Sequence, residues 1–289
     1  MKRSSRPSGK SRQRCGQGLR QRSPLNPPRR AWRSSSRGSD MAFDLSSISR
    51  TKRLRAPKIV IAGPGKIGKT TFAASAPGAV GILTEDGSDA VDAQAFPLAQ
   101  SLTDVYQAIG TLLQEKHDFQ TVFLDSLDWL EPLVHTHVCE QNKWDNIEKP
   151  GYGKGYVAAA EEWRNLLQGL EALRQRRNMA VILIAHDKIK RFESPLHDGY
   201  DQYVLKLHDR ASALVMEWAD VIGWANYKVT TVESDAGYGN KEVKARSTGQ
   251  RVLHVEPHPA HMGGNRFGLK NIPLAWSAFA EALAATQAR

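Results

Sequence analysis

The sequence predicts an α/β fold, a mostly parallel central sheet flanked by helices, with an antiparallel extension toward the C-terminus. Three observations carry that expectation. Short, nearly continuous apolar runs recur at 58–62, 81–85, 121–125 and 179–185. Strands apolar on both faces belong in a parallel sheet that is covered on both sides. Between those runs, apolar residues recur at helical spacing, as at Leu102, Val105, Ile109, Leu112 and Leu113. Finally, a glycine-rich turn, Gly63-Pro64-Gly65-Lys66-Ile67-Gly68-Lys69-Thr70, joins the first strand to Thr71 and the first helix.

Each element follows from local chemistry. Lys58-Ile59-Val60-Ile61-Ala62 is a buried strand, and Thr71-Phe72-Ala73-Ala74-Ser75 opens a helix. A second strand is expected at 81–85, a helix at 102–116, a third strand at 121–125 and a helix at 128–140. Residues 143–156, with four glycines or prolines, read as a loop. Val157, Trp163, Leu166, Leu167, Leu170 and Leu173 mark a long helix over 157–176. Residues 179–185 form the fourth strand, and the polar stretch 187–205 reads as a loop. A helix at 207–218 precedes strands at 221–227, 228–232 and 251–255, which read as the antiparallel extension. Pro273 is expected to open a C-terminal helix bearing Trp276, Phe279 and Leu283 on one face.

The turn at 63–70 has the form GxxxxGK[ST], in the strand–loop–helix context this motif requires. Gly63, Gly65 and Gly68 let the backbone curl so that successive N–H groups face an anion, and the helix N-terminus adds its positive dipole end. Lys69 can reach the β- and γ-phosphates, and the Thr70 hydroxyl can ligate Mg²⁺. In α/β sheets the chemistry gathers at the C-terminal ends of the strands. There the later strands carry Glu85-Asp86, Asp125-Ser126 and His186-Asp187. Asp125, which ends the strand Thr121-Val122-Phe123-Leu124, is a Walker B carboxylate, a second Mg²⁺ ligand. Because Ser126 and not Glu follows it, the base that activates water is expected to be Glu85. His186 is placed to hydrogen-bond the γ-phosphate.

This layout resembles the RecA-type ATPase core. More closely, it is similar to phage-encoded RecA-like nucleotide-binding proteins linked to single-strand annealing and recombination. The stretches that carry the resemblance are IAGPGKIGKTTFAASAP, ILTEDG, VFLDSLDWLE, GYGKGYVAAAEEW, VILIAHDKIKRFESP, WADVIGWANY and NRFGL, spread over about 57–280. The resemblance implies ATP and Mg²⁺ as cofactors, Lys69 and Thr70 as phosphate and Mg²⁺ ligands, Asp125 as Walker B, Glu85 as base and His186 as sensor. It also implies a homo-oligomer acting on single-stranded DNA in a bacterial host cytoplasm. Asn265-Arg266-Phe267-Gly268 resembles the Lys-Asn-Arg-Phe-Gly element of RadA-like relatives, whose basic residue acts near the neighbouring subunit's nucleotide. Here Gly264 stands in the Lys position, so any such trans role falls on Arg266.

Candidate DNA contacts lie in the two expected loops. Lys154 and Tyr156 stand in the first, and Lys188, Lys190 and Arg191 in the second. Cations for phosphate and rings for base stacking suit a sequence-tolerant single-strand site. Acidic residues interrupt both loops, so solvated loops or a nucleotide lid are the other reading. A nucleotide-dependent switch without DNA binding is the alternative for the whole chain, and a small-molecule kinase fits less well.

The chain of 289 residues has a formal net charge of +10 that is unevenly spread. Residues 1–40 hold 12 of the 40 Lys and Arg and one of the 30 Asp and Glu, whereas 41–289 hold 28 and 29. The first 40 residues read as a disordered basic tail, followed by a lead-in arm at 41–56 and the domain at 57–289. The tail is open to three readings: an extension upstream of a true start at Met41, a basic arm for nucleic acid, or a targeting segment. No apolar run is long enough to span a membrane. Cys15 and Cys139 are too few for a disulfide framework. The spacings His135/His137/Cys139 and His254/His258/His261 are loose, and strand-end or loop histidines are the better reading.

Overall fold

The computed structural model describes Ile48 and residues 55–87, 90–195, 198–235 and 241–287, with backbone only at 229–235, 241–247 and 287. The chain divides between Ser49 and Arg50, and every element named here lies in the second unit. The expected tail at 1–40 and most of the lead-in arm at 41–56 fall outside the described residues.

The expected parallel core is present. β1 (Lys58–Ala62) pairs in parallel with β5 (Ala180–Ala185) and with β8 (Val221–Asp235). On the far side, β5 pairs with β4 (Thr121–Asp125), β4 with β2 (Ala79–Leu83), and β2 with the two-residue β3 (Gln94–Ala95), all parallel. One strand therefore separates the phosphate-loop strand β1 from the Asp125 strand β4. The antiparallel extension is β9 (Lys241–His254) on β8 and β11 (Ile272–Pro273) on β9, with β10 (Gly264–Asn265) also pairing β8. This is the α/β architecture that the sequence anticipates, a mostly parallel sheet with an antiparallel extension.

Helices cover both faces. α1 (Lys69–Ala74) and α6 (Trp276–Gln287) close one side, where Phe72, Trp276 and Phe279 meet edge-on above Ile59, Ile61, Phe123, Ile182 and Leu253. On the other side, α4 (Lys154–Arg177) packs against α2 (Leu102–Gln114), α3 (Leu127–Asn142) and α5 (Asp209–Trp218). Trp163, Leu166, Leu170 and Leu173 of α4 are buried there. Ser101 caps α2 in a capping box with Asp104, which satisfies two of its orphan N–H groups.

Several expectations are corrected. Residues 187–205 are not a loop but a two-stranded antiparallel sheet of β6 (Asp187–Phe192) and β7 (Tyr200–Leu205). Its strands stand outside the main core and alternate charge with apolar residues, so no apolar run reveals them. α4 begins at Lys154, which puts Lys154 and Tyr156 on its first turn instead of in a loop. β2 ends at Leu83, so Thr84 and Glu85 follow the strand. Residues 221–235 form one strand with a bulge at Tyr227/Val229. Pro273 lies in β11, and α6 starts at Trp276. Tertiary pairing of β11 with β9 overrides the preference of proline for a helix start. Among the described residues, no helix is long and apolar enough to cross a membrane.

Candidate functional site

Strand register sets the site. Ile61 of β1 and Asp125 of β4 both align with Ile184 of β5, so the residues that follow these strands converge at one edge. That edge carries Gly63, Asp125-Ser126 and His186, with Thr84-Glu85 just after β2.

The phosphate loop curls as its glycines predict. A methyl group on Gly63 would collide with the carbonyl oxygen of Ala225 in β8, so only glycine fits there. Lys66 and Gly68 adopt positive φ, at 64° and 106°. The Lys69 ammonium folds back onto the loop and donates to the carbonyls of Gly63 (2.8 Å) and Pro64 (2.9 Å). Burial lowers its pKa, a shift opposed by the carboxylates of Asp125, Asp187, Asp128 and Glu85. Thr71, beside Thr70, is exposed at the start of α1.

Thr70 Oγ1 donates to Asp125 Oδ2 at 2.6 Å. Asp125 is almost fully buried, and burial pushes its pKa up against the hydrogen bond from Thr70. A hydroxyl and a carboxylate oxygen side by side form a hard-oxygen pair suited to Mg²⁺, so the residues present fit the cation of a nucleotide complex.

Ser126 supplies what the Walker B motif lacks. Its hydroxyl donates to Glu85 Oε2 at 3.1 Å, so a carboxylate from the next strand stands where Ser126 itself has none. Thr84 fixes the junction, donating from Oγ1 to the Ser126 carbonyl (2.7 Å) and from its backbone N–H to the Asp125 carbonyl (2.8 Å).

His186 is held by Asp128, a residue the sequence reading passed over. The backbone N–H of His186 donates to Asp128 Oδ1 at 3.0 Å, and its Nδ1 lies 3.0 Å from Oδ2 and 3.1 Å from Oδ1. The Asp128 side chain is 3% exposed. Burial alone would raise its pKa, but the hydrogen bonds from His186 lower it to about 2. Ligand atoms of Glu85, Asp128 and His186 lie within 4.8 Å of one another; the His186–Asp128 hydrogen bond joins two of them, and Ser126 holds Glu85 beside the pair. The available signal was an acidic residue in the first turn of α3, which reads equally well as a helix-start carboxylate.

Arg251 was also missed. From β9 it donates to the Ile67 carbonyl at 3.2 Å, and its guanidinium occupies the space where a Cβ on Gly68 would sit. It braces the outside of the phosphate loop across 184 residues of sequence, so no local pattern could reveal it.

The model of the AAA domain family matches residues 55–267. The chain belongs to the AAA domain family. No curated protein matches it. Among solved structures, the RadB recombinase is similar over 73% of this chain and 86% of its own, at 16% identity and a TM-score of 0.40. P-loop NTPases as a class bind ATP with Mg²⁺ at a glycine loop of this form.

The candidate DNA contacts gather around the start of α5. The Tyr156 ring stacks on His208 at 4.1 Å and 5°, Lys188 Nζ donates to the Leu207 carbonyl at 2.7 Å, and Lys190 Nζ lies 2.7 Å from Asp209 Oδ2. Arg191 faces Glu193 (3.4 Å) and Asp201 (3.7 Å). Arg266 lies at the opposite end of the sheet from the phosphate loop. It is held by Asp220 Oδ1 (3.0 Å) and the Glu217 carbonyl (3.1 Å). Action on a neighbour's nucleotide would require release of that pair. His254, His258 and His261 are strand-end and loop residues; the His261 ring stacks on Trp224 and on His258, and His254 packs at a tilt against Trp224 and His261.

Proposed function

We propose that this AAA-domain chain is a Mg²⁺-dependent ATPase of RecA type that acts on single-stranded DNA, in phage recombination, annealing or replication. The observation that carries the ATPase reading is the convergence of the Lys69 loop, the Thr70–Asp125 pair, Glu85 on Ser126 and His186 on Asp128 at adjacent strand ends. Lys69, Thr70 and Asp125 would hold the triphosphate and Mg²⁺; the cation would neutralise charge on the phosphates. When triphosphate enters, Lys69 exchanges its loop carbonyls for phosphate oxygens. Glu85, oriented by the Ser126 hydroxyl, accepts the proton of the attacking water. His186 directly precedes β6, so its position is felt at the root of the β6–β7 hairpin that carries Lys188, Lys190 and Arg191. The DNA reading rests on those cations and on the family resemblance. Homo-oligomerisation belongs to the same proposal, with Arg266 as its residue of interest.

One observation favours a second reading, a nucleotide-dependent switch without DNA. Two of the hairpin cations are already paired, Lys190 with Asp209 and Arg191 with Glu193 and Asp201, and Lys188 donates to the Leu207 carbonyl. ATP hydrolysis by the full chain with and without single-stranded DNA at low salt separates the two. DNA-stimulated hydrolysis that is lost in Lys69→Ala supports the DNA-coupled ATPase. Hydrolysis indifferent to DNA supports the switch, and normal hydrolysis in Lys69→Ala overturns the site.

A further inference from the structure

We propose that Glu85, Asp128 and His186 form a binding site for a first-row transition-metal cation, typified by Zn²⁺, separate from the Thr70–Asp125 pair that suits Mg²⁺. The site is read from side-chain placement alone; its effect on hydrolysis rests on the nucleotide-site reading. Ligand atoms of the three residues fall within 4.8 Å of one another. Among the described residues, no other three His, Cys, Asp or Glu side chains gather so closely. They come from three elements: Glu85 follows β2, Asp128 stands in the first turn of α3, and His186 follows β5. Two are nearly in place. His186 Nδ1 lies 3.0 Å from Asp128 Oδ2, and ligand atoms around a tetrahedral Zn²⁺ stand about 3.4 Å apart. Glu85 lies beyond the end of its strand, so a small closure of that turn completes the set.

Each carboxylate is also oriented from behind. Asp128 Oδ1 accepts the backbone N–H of His186 at 3.0 Å, and Glu85 Oε2 accepts the Ser126 hydroxyl at 3.1 Å. One oxygen of each is thereby fixed and the other is available to a cation. Such outer hydrogen bonds are what hold metal ligands in position. Local charge favours a cation as well. Asp125, Asp187, Asp128 and Glu85 all act on one buried ammonium, that of Lys69. Lys206 Nζ lies 3.8 Å from Asp128 Oδ2, but its side chain is 59% exposed and can turn into solvent. Four carboxylates against two ammonium groups leave an excess of negative charge.

The donor set decides the metal. Mg²⁺ takes oxygen ligands and keeps its waters, whereas one imidazole nitrogen with two carboxylates suits Zn²⁺ or Co²⁺. Three protein ligands leave a fourth position to water. The metal replaces the proton between Nδ1 and Asp128, and that proton passes to solvent. It also withdraws the Glu85 carboxylate from the attacking water, while Lys69, Thr70 and Asp125 stay with the nucleotide. Zn²⁺ therefore stops hydrolysis without displacing ATP.

The test titrates the chelator-treated full chain, without nucleotide and in excess Mg²⁺, with Zn²⁺ by calorimetry and with Co²⁺ by visible absorption. The wild type is expected to bind the metal at a site that His186→Gln, Asp128→Asn and Glu85→Gln each weaken by about tenfold or more, with circular dichroism unchanged. Cys139→Ser and His258→Gln, which lie outside the cluster, should bind as the wild type does. Zn²⁺ should lower kcat for ATP with little change in KM, and its removal should restore the rate. Metal bound equally by the wild type and the three cluster variants, or not bound at all, would overturn the proposal. So would loss of the metal in Cys139→Ser. Metal held at the cluster with kcat unchanged would overturn its effect on hydrolysis. A wild type that neither binds nor hydrolyses ATP overturns the nucleotide-site reading instead, and the titration without nucleotide still decides the metal site.

Discussion

The Thr70 hydroxyl donates to the Asp125 carboxylate at 2.6 Å, joining the first turn of α1 to the end of β4 across 55 residues. Neither residue is a cation site alone. Together they present two hard oxygens beside the phosphate loop. Thr70→Val keeps the shape and removes one of them. Mg²⁺-dependent ATP hydrolysis is expected to fall by at least about a hundredfold, with the fold intact by circular dichroism. Activity near the wild-type rate would remove Thr70 from the cation site.

Arg251 braces the phosphate loop from outside through the Ile67 carbonyl. A hydrogen bond from a charged donor contributes about 1.5–3 kcal/mol. Arg251→Ala should loosen the loop and raise KM for ATP roughly tenfold, with a smaller change in kcat. A kinetic comparison of the variant and wild type reads this directly, and an unchanged KM would make Arg251 a bystander.

Asp128 also makes a stability prediction. Its carboxyl is lowered from 3.8 to about 2 in the folded state, so the folded protein binds that proton less readily than the unfolded chain. The contribution is fully present above the unfolded value and is lost as pH falls through the folded one. At about 1.4 kcal/mol per unit it amounts to about 2 kcal/mol. Urea unfolding of wild type and Asp128→Asn should show a stability gap at pH 5 that shrinks toward about pH 2. A gap that does not change with pH would mean that the ionised carboxylate is not its source.

Lys190 is neutralised by Asp209 at the start of α5. If single-stranded DNA runs past this hairpin, Asp209→Asn releases a cation and should tighten binding, whereas Lys190→Ala should change it little. Fluorescence anisotropy with a labelled oligonucleotide at two salt concentrations checks both, and release of Lys190 should steepen the salt dependence by about one unit. Equal affinities in all three proteins would place DNA elsewhere or nowhere.

Phe279 is fully buried against Phe72 and Trp276, tying α6 to the phosphate-loop helix α1. Phe279→Ala should cost about 3–5 kcal/mol and lower the thermal midpoint by several degrees. A midpoint within a degree of wild type would show that α6 is dispensable to the fold.

The sequence by itself determined the parallel strands, because burial on both faces leaves an unbroken apolar run that needs no partner to be recognised. It also determined the phosphate loop, where glycine spacing and a following Lys-Thr are a local requirement, and it placed Asp125, Glu85 and His186 at strand ends. The β6–β7 hairpin stayed hidden because its alternation is polar and its strands lie outside the main core. Pro273 misled because β11 pairing, not helix preference, decides that segment. Only the tertiary structure decided that Ser126 would hold Glu85, that Asp128 would hold His186 and that Arg251 would brace the Ile67 carbonyl. Each is a contact between different elements, set by strand order and register. The sequence names the groups that can do the chemistry, and the sheet decides which of them meet.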